Sequence, residues 1–455
     1  MLTRREWMSC LAALAAPEAN DPWKQADAIL KRIVPPKFPA RDFLITKYGA
    51  QAGGAVDASG ALKQAIAACA AAGGGRVVVP EGRFLTGPVH LKSGVNLHLA
   101  AGSVLLFTTD PKAYLPAVFT RWEGMELMGY SPLVYAFGQK NIAVTGPGTL
   151  DGQAGAAHWW PWKGRTEYGW KKGDPHQAAA RNKLGELSEK DVPVAERVFA
   201  EGSYLRPQFV ETYKCENVLI EGVTILNSPM WEIHPVLCRN VTVRGVTVRS
   251  HGPNNDGCDP ESCVDVLIEN CKFDTGDDCI AIKSGRNRDG RRVNAPTENI
   301  IIRGCEMKDG HGGVTIGSEV SGGVRNVFAE NCRMDSPNLD RVLRLKTNAV
   351  RGGFIENVYM RNVTVGQVAD AVLHADFFYE EGEKGDFLPR VKNIVMEDVT
   401  CGRSQRAIYI RAFAKAPVEQ VRLARCTFDN VKQGDVLENV KGLEQVDVRV
   451  NGTKR

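Results

Sequence analysis

Asn217 to Ile225 reads NVLIEGVTI, and the same nine-place phrase returns down the chain. It reads NVTVRGVTV from Asn240, DVLIENCKF from Asp265, NIIIRGCEM from Asn299, NVFAENCRM from Asn326, NVYMRNVTV from Asn357, NIVMEDVTC from Asn393 and QVRLARCTF from Gln420. The starts are 23, 25, 34, 27, 31, 36 and 27 residues apart. A recurring phrase at such spacing predicts a solenoid in which each copy is one coil and the loops vary in length.

The columns of this alignment carry the physics. One and three places after each start the residue is apolar (Val218 and Ile220, Val266 and Ile268, Ile300 and Ile302), the period of a strand with one buried face. Five places on stand Gly222, Gly245, Asn270, Gly304, Asn331, Asn362 and Asp398, types that tolerate a left-handed backbone at a turn. Six places on stand Val223, Val246, Cys271, Cys305, Cys332, Val363, Val399 and Cys426, a small apolar ladder. Four places on the charge alternates: Glu221, Arg244, Glu269, Arg303, Glu330, Arg361, Glu397. Alternation is sensible only if neighbouring coils lie side by side in parallel register. Parallel crossovers are almost always right-handed, so the expected fold is all-β, a right-handed parallel β-helix.

Outside the repeat, SGALKQAIAACAAA (residues 59–72) places Leu62, Ile66 and Cys69 at helical spacing after a capping Ser59, and Gly73 to Gly75 stop it. A solenoid exposes the interior of its first coil, so this helix is expected as an N-terminal cap. Strand-like pieces follow at Arg76 to Pro80, Val95 to Leu99, Ser103 to Phe107 and Asn141 to Gly146. Between Gly152 and Arg206 the pattern breaks into an insertion carrying Trp159, Trp160, Trp162 and Trp170 with Lys163, Arg165, Lys171 and Lys172. Aromatics and cations on a long loop suit a wall for a charged sugar; equally, the Trp residues could pack the loop onto the solenoid. The 455 residues therefore read as one β-helix over 41–450, with no second domain required.

A net charge of +4 is too small to argue for nucleic acid, and no stretch approaches the 18 consecutive apolar residues of a membrane span. Arg4 and Arg5 precede an apolar run from Trp7 to Ala16, a pattern similar to a twin-arginine export signal over residues 1–20, with an ordinary helix as the alternative. Of the 12 cysteines, Cys10 falls in that segment, while Cys271, Cys305, Cys332 and Cys426 sit in the core column. Buried thiols acting as small hydrophobes are expected for most, with a few disulfides left open.

Three pieces lie where the coils carry chemistry: NNDGCDPES (Asn254 to Ser262), TGDDCIAIKSG (Thr275 to Gly285) and HGGVTIGS (His311 to Ser318). Aligned on Ser262, Ser284 and Ser318, they put Asp256 in one column with Asp278 and Asp277 in the next with His311. Strands stack about 4.8 Å apart, so Asp256 and Asp278 could share one water. Crowded carboxyls cannot all ionise cheaply, so one should stay protonated and act as an acid; Asp277, with His311 beside it, is the candidate. Ile280 and Ile282 point inward, which turns Asp277, His311, Arg344 and Lys346 outward and leaves Asp256 and Asp278 with the wrong parity for an ideal pleat. The backbone should turn there, at Gly257, Gly276 and Gly312.

The order NNDG, TGDD, GHG (Gly310 to Gly312) and RLK (Arg344 to Lys346) resembles glycoside hydrolase family 28, the polygalacturonases and their relatives. YGA at Tyr48, FLTG at Phe84 and NSPMW at Asn227 extend the similarity over about residues 41–450. The resemblance implies a right-handed parallel β-helix and hydrolysis of α-linked galacturonic acid with inversion. It also implies Asp256 and Asp278 holding the attacking water, Asp277 as proton donor, His311 assisting, and Arg344 with Lys346 gripping a substrate carboxylate. No metal or cofactor is implied. The expected partner is an acidic plant cell-wall polysaccharide or oligogalacturonide, met by an exported monomer. Tyr379 is the candidate for the tyrosine that polygalacturonases carry after the Arg–Lys pair. His311 with the Arg-Leu-Lys piece favours polygalacturonase over rhamnogalacturonan-hydrolase chemistry, and the insertions at 152–206 and 286–294 favour exo over endo attack.

Competing readings stay open at this point. The Asp cluster could bind Ca²⁺ as in a pectate-lyase-type eliminase or cap backbone N–H groups. Arg344 and Lys346 could extend the outer charge ladder, and His311 could be a turn residue. Lys283, Arg286, Arg288, Arg291 and Arg292 could meet a polyanion or form a solvated loop, and the solenoid could be a non-catalytic carbohydrate-binding module.

Overall fold

Every repeat copy forms a strand, and each strand hydrogen-bonds to the next copy in the chain. The computed structural model describes residues 21–455, so the export-signal reading and Cys10 lie outside the described residues. Strands Glu216–Glu221, Arg239–Arg244, Val264–Glu269, Thr297–Arg303, Val324–Glu330, Phe354–Val365, Arg390–Cys401 and Val418–Ala424 stack in that order, all parallel. The architecture is a right-handed parallel β-helix, as the alignment predicts.

The register is that of the sequence columns: Glu221 lies opposite Arg244, Arg244 opposite Glu269, and so on to Arg361 opposite Glu397. Inward columns form the core, with Val218, Val266, Ile300, Cys271, Cys305 and Cys332 all buried. Among the described residues all 11 cysteines are free and buried, in keeping with the thiol reading.

The turn residues are left-handed as expected, Asn270 at φ 54° and Asn331 at φ 55°. The first residue of every phrase is left-handed as well, with φ between 56° and 62° from Asn217 to Gln420. Sequence reading took this Asn only as a marker. Its amide bonds to the rung below: Asn240 Nδ2 to Asn217 Oδ1 at 2.7 Å, Asn326 to Asn299 at 3.1 Å and Asn357 to Asn326 at 3.1 Å. Asn is among the few side chains that accept this backbone and can still bond along the stack.

Helix α1 (Pro22–Leu30) was not foreseen; it lies outside the coils, burying Trp23, Ala26 and Ile29 against Leu267, Ile301 and Phe328. Helix α2 (Ser59–Ala71) is the expected cap, with Leu62, Ile66 and Cys69 buried. Ser59 is its first residue rather than its cap; Asp57 Oδ1 accepts from Ser59 N at 2.9 Å and supplies the start signal instead.

The insertion is ordered. Its helix α3 (Ala178–Glu189) and strand Val198–Phe199 pack on an antiparallel hairpin, Val118–Trp122 with Met125–Gly129. Together they lean over a second face of the solenoid. That face is continued by strands Ile280–Ile282, Val314–Ile316, Arg341–Lys346, Ala371–Asp376 and Arg406–Arg411.

Candidate active site

The three sequence pieces are adjacent rungs. Cys258 bridges to Ile280 and Glu261 to Lys283, while Ile280 pairs with Val314. That register sets Asp256 across from Asp278 and Asp277 across from His311. Backbone bonds hold the approach: Gly257 N donates to Asp278 O at 3.0 Å and His311 N to Asp277 O at 3.0 Å.

The glycines expected to turn the backbone act through space instead. Gly257, Gly276 and Gly312 do not have positive φ. A Cβ on Gly312 would lie 2.3 Å from Thr315 Oγ1 and 3.0 Å from Asp278 Oδ1, and one on Gly276 would lie 2.5 Å from Gly252 O. They are glycine because neighbouring rungs and the Asp278 carboxylate come too close for a side chain.

One oxygen of each of Asp256, Asp277 and Asp278 lies within 4.8 Å of the others. They open with His311, Arg344, Lys346 and Tyr379 onto a cavity of about 260 Å³, whose walls do not include the buried Asp278 itself. Asp277 Oδ1 bonds His311 Nδ1 at 3.0 Å. Asp278, fully buried, accepts from Thr315 Oγ1 at 2.8 Å, Arg344 Nη1 at 3.2 Å and Lys346 Nζ at 2.7 Å. Arg344 and Lys346, expected as a clamp for substrate, thus first neutralise Asp278; Arg344 Nε remains without a partner. Both cations lie 5.4–5.9 Å from the centre of the Tyr379 ring, which puts Tyr379 in the site.

Electrostatics divides the three acids. Burial pushes Asp278 up, but Lys346 and Arg344 outweigh it and hold the carboxyl well below its usual range. Burial and the Asp277 charge raise Asp256 to about 7. At Asp277 burial is overcome by the hydrogen bond and charge of His311, and the carboxyl is lowered, while its bond to Asp277 raises His311 to about 9. The carboxyl expected to be raised was Asp277; in the free protein the raised one of the three is Asp256. The proton of the Asp277 pair rests on His311, because the imidazole is half-exposed and its cation is cheaper to keep than a second buried anion is to neutralise.

Behind Asp256 stands Lys283, read from sequence only as part of a basic loop. Lys283 Nζ lies 3.4 Å from Asp256, 3.6 Å from Asp259 and 3.5 Å from Glu319, over the Trp231 ring at 4.4 Å. Of the basic loop only Lys283 and Arg286 reach the cavity. Arg288 pairs with Asp191, Arg291 stacks on Phe387 and Arg292 bonds Glu126, so these three hold neighbouring segments together. The loop itself is a short helix, α4 (Asn287–Val293).

The two readings of the insertion divide by residue type. Trp159 is buried, and Trp160 Nε1 bonds Ser228 O at 2.8 Å, so the aromatics pack the loop onto the solenoid. Lys163, Arg165 and Tyr168 line the cavity. Its far wall was invisible in sequence: Glu123 takes Arg181 at 2.6 Å and Arg286 at 3.0 Å, and Glu380 takes Arg286 at 3.5 Å and Arg351. Glu123 and Glu380 come from loops outside any column and carry no motif. Glu319 did carry a signal, since it follows the closing Ser318 of the third piece.

A Ca²⁺ site built on these carboxylates fits poorly. Lys346, Arg344, Lys283 and His311 already stand at the oxygens a hard cation would need.

Residues 195–448 match the sequence model of glycosyl hydrolases family 28. A "Probable polygalacturonase" of Vitis vinifera is 32% identical over 302 residues, 64% of this chain and 54% of that protein. An "Exo-poly-alpha-D-galacturonosidase" of Dickeya chrysanthemi is 27% identical over 389 residues, 78% of this chain and 62% of that protein. The matched stretch thus spans less than two thirds of either relative. The crystal structure of a hyperthermoactive exopolygalacturonase from Thermotoga maritima superposes with a TM-score of 0.93 at 45% identity, covering 95% of this chain and 97% of that one. With a model match over more than half its length and this likeness along nearly all of it, the chain belongs to glycosyl hydrolases family 28.

Proposed function

We propose that the protein is an exo-acting hydrolase of α-linked galacturonic acid, releasing the terminal uronate from pectic chains with inversion at the anomeric carbon. The observation that carries this is the small cavity at the acids, lined on one side by Lys163, Arg165 and Tyr168 of the insertion. Asp256, Asp277 and the Arg344–Lys346 pair line a space of about 260 Å³, with Asp278 beside them, below the roughly 300–1,000 Å³ of pockets for drug-sized ligands. A space of this size suits one sugar ring at the acids rather than a run of rings on both sides of them. Exo activity in the printed names of the Dickeya and Thermotoga proteins supports the same reading.

In this reading Asp278, kept ionised by Lys346 and Arg344, polarises the attacking water together with Asp256. The proton shared by Asp277 and His311 goes to the glycosidic oxygen as the bond breaks. Water delivers OH to the anomeric carbon and its proton to the carboxylate pair, so atoms and charge balance. The carboxyl spacing by itself does not carry inversion: oxygens within 4.8 Å fall short of the about 6.5–9.5 Å typical of inverting pairs. Inversion rests on the division of roles, two acids in one column for water and one in the next for the leaving group.

Incubation with oligogalacturonides, with and without a chelator, tests the reading. Saturated monomer, released as the β-anomer by NMR at first turnover and insensitive to the chelator, is expected. Unsaturated product absorbing in the ultraviolet would turn the reading to an eliminase, and mixed oligomers to endo attack. Export rests on Arg4, Arg5 and the apolar run from Trp7 to Ala16; fractionation of cells expressing the Arg4→Lys, Arg5→Lys variant checks it.

A further inference from the structure

Lys163, from the insertion, has an unusual set of neighbours. Its Nζ donates to Asn254 Oδ1 at 2.7 Å, and the same oxygen accepts from Arg206 Nη2 at 2.8 Å. Arg206 is fully buried, and its remaining bonds go to Pro229 O, Pro253 O and Gln177 Oε1. Two cations therefore converge on one neutral carbonyl. Among the described residues neither has a carboxylate within 4.0 Å.

The acids that feel them are committed elsewhere: Glu123 to Arg181 and Arg286, and Asp277 to His311. Buried charge is ordinarily paired. An ammonium has three protons to donate; Lys163 spends one on Asn254 and faces the cavity that Asp277 also lines. Asn254 is two places before Asp256, so the rung that carries the water-binding acid also fixes this cation.

We infer that Lys163, backed by Arg206, is the anion subsite for the carboxylate of the terminal uronate, the ring held between the insertion and Asp277 and released on cleavage. The inference rests on the exo reading above and adds to it a second carboxylate contact, separate from Arg344 and Lys346, that selects an acidic end unit. It also gives the insertion a chemical role besides lining the cavity. Burial and the nearby Arg206 lower Lys163 to about 8, against the pull of Glu123 and Asp277 and with Arg181 adding to the depression.

The test compares trigalacturonate with the same trimer methyl-esterified only at its non-reducing-end carboxyl, on the full chain. A charge-assisted hydrogen bond predicts that wild type prefers the acid by about 10–100-fold in kcat/KM. In Lys163→Met the preference should fall to within about threefold, by loss on the acid substrate alone, and Lys163→Arg should restore it. Because the readout is a ratio within one preparation, partial misfolding cancels. The wild-type preference should fade as pH rises through about 8, where the free ammonium loses its proton. A Lys163→Met enzyme that keeps the full preference for the acid overturns the inference and leaves the exo reading intact. On a longer chain such as heptagalacturonate, early products other than monomer and the chain shortened by one unit overturn the exo reading, and the inference with it.

Discussion

Two faces of this solenoid carry charges outward, and they differ in how the charges are matched. On the sheet through Glu216–Glu221, signs alternate rung by rung. Arg244 lies between Glu221 at 3.3 Å and Glu269 at 2.5 Å, and Glu269 takes Arg303 at 2.6 Å from its other side. On the sheet through Ile280–Ile282 matching fails. Asp278 has two cations of its own, while Asp256 and Asp259 share Lys283 with Glu319, which alone of the three also meets Arg286, at 4.0 Å. Both oxygens of Glu232 and Asp259, and one of Asp256, are left buried without a hydrogen bond. Burial forces Glu232 and Asp259 far above the usual carboxyl range, so they are neutral. The half-exposed ladder is local register; the buried, unequal set is a reservoir of shifted protonation states, and that is where chemistry becomes possible.

Equivalent substitutions on the two faces should therefore diverge. Asp277→Asn and Asp278→Asn should each lower kcat on oligogalacturonides by about 10²–10⁴-fold with the circular dichroism spectrum unchanged. On the substrate esterified at its terminal carboxyl, where loss of the Lys163 ammonium does not count, the kcat/KM profile should fall tenfold per unit above a pH of about 9, where the Asp277–His311 pair loses its proton, and His311→Ala should abolish that limb. The sign is fixed by the raised value: the imidazolium form is fully present below 6.5 and disappears through 9. Lys346→Met leaves Asp278 buried and under-compensated and should cost about 3–5 kcal/mol in urea unfolding.

Asp256→Asn should do the reverse, killing turnover while adding about 1–2 kcal/mol of stability at pH 7. The folded state binds a proton at Asp256 up to about 7 where the unfolded chain releases it near 3.8, so wild-type stability declines across that window and the gain should vanish at pH 4. Arg303→Met, on the ladder, should change stability by less than about 1 kcal/mol. Equal costs for Lys346→Met and Arg303→Met would erase the distinction between the faces.

Repetition made most of this legible in advance. Eight copies specify strand, inward column, turn and sign of charge, and the register follows from them because a slip of one place would turn every Val and Ile to water. The carboxylate columns were readable for the same reason, since Asp256, Asp277, Asp278 and His311 ride on rungs. What stayed hidden had no rung. Glu123 reaches the cavity from a hairpin turn, Arg181 from helix α3 and Glu380 from a loop, the first two set by packing of Trp122, Leu184 and Trp231 among others. Helix α1 left a trace, the outward Leu267, Ile301 and Phe328, which an exposed face would not carry, although Thr242 in the preceding coil breaks that apolar column. Which carboxyl keeps its proton could not be read from spacing at all, because it depends on whether Lys283, Lys346 or His311 stands nearest.

The asparagine stack has a practical corollary. Rungs stay aligned although the chain between them ranges from 23 to 36 residues, so loop length is decoupled from the scaffold's own assembly. An engineer could exchange the segment at 152–206 for a shorter one, opening the groove to internal bonds of a polymer while every acid stays where the spine holds it.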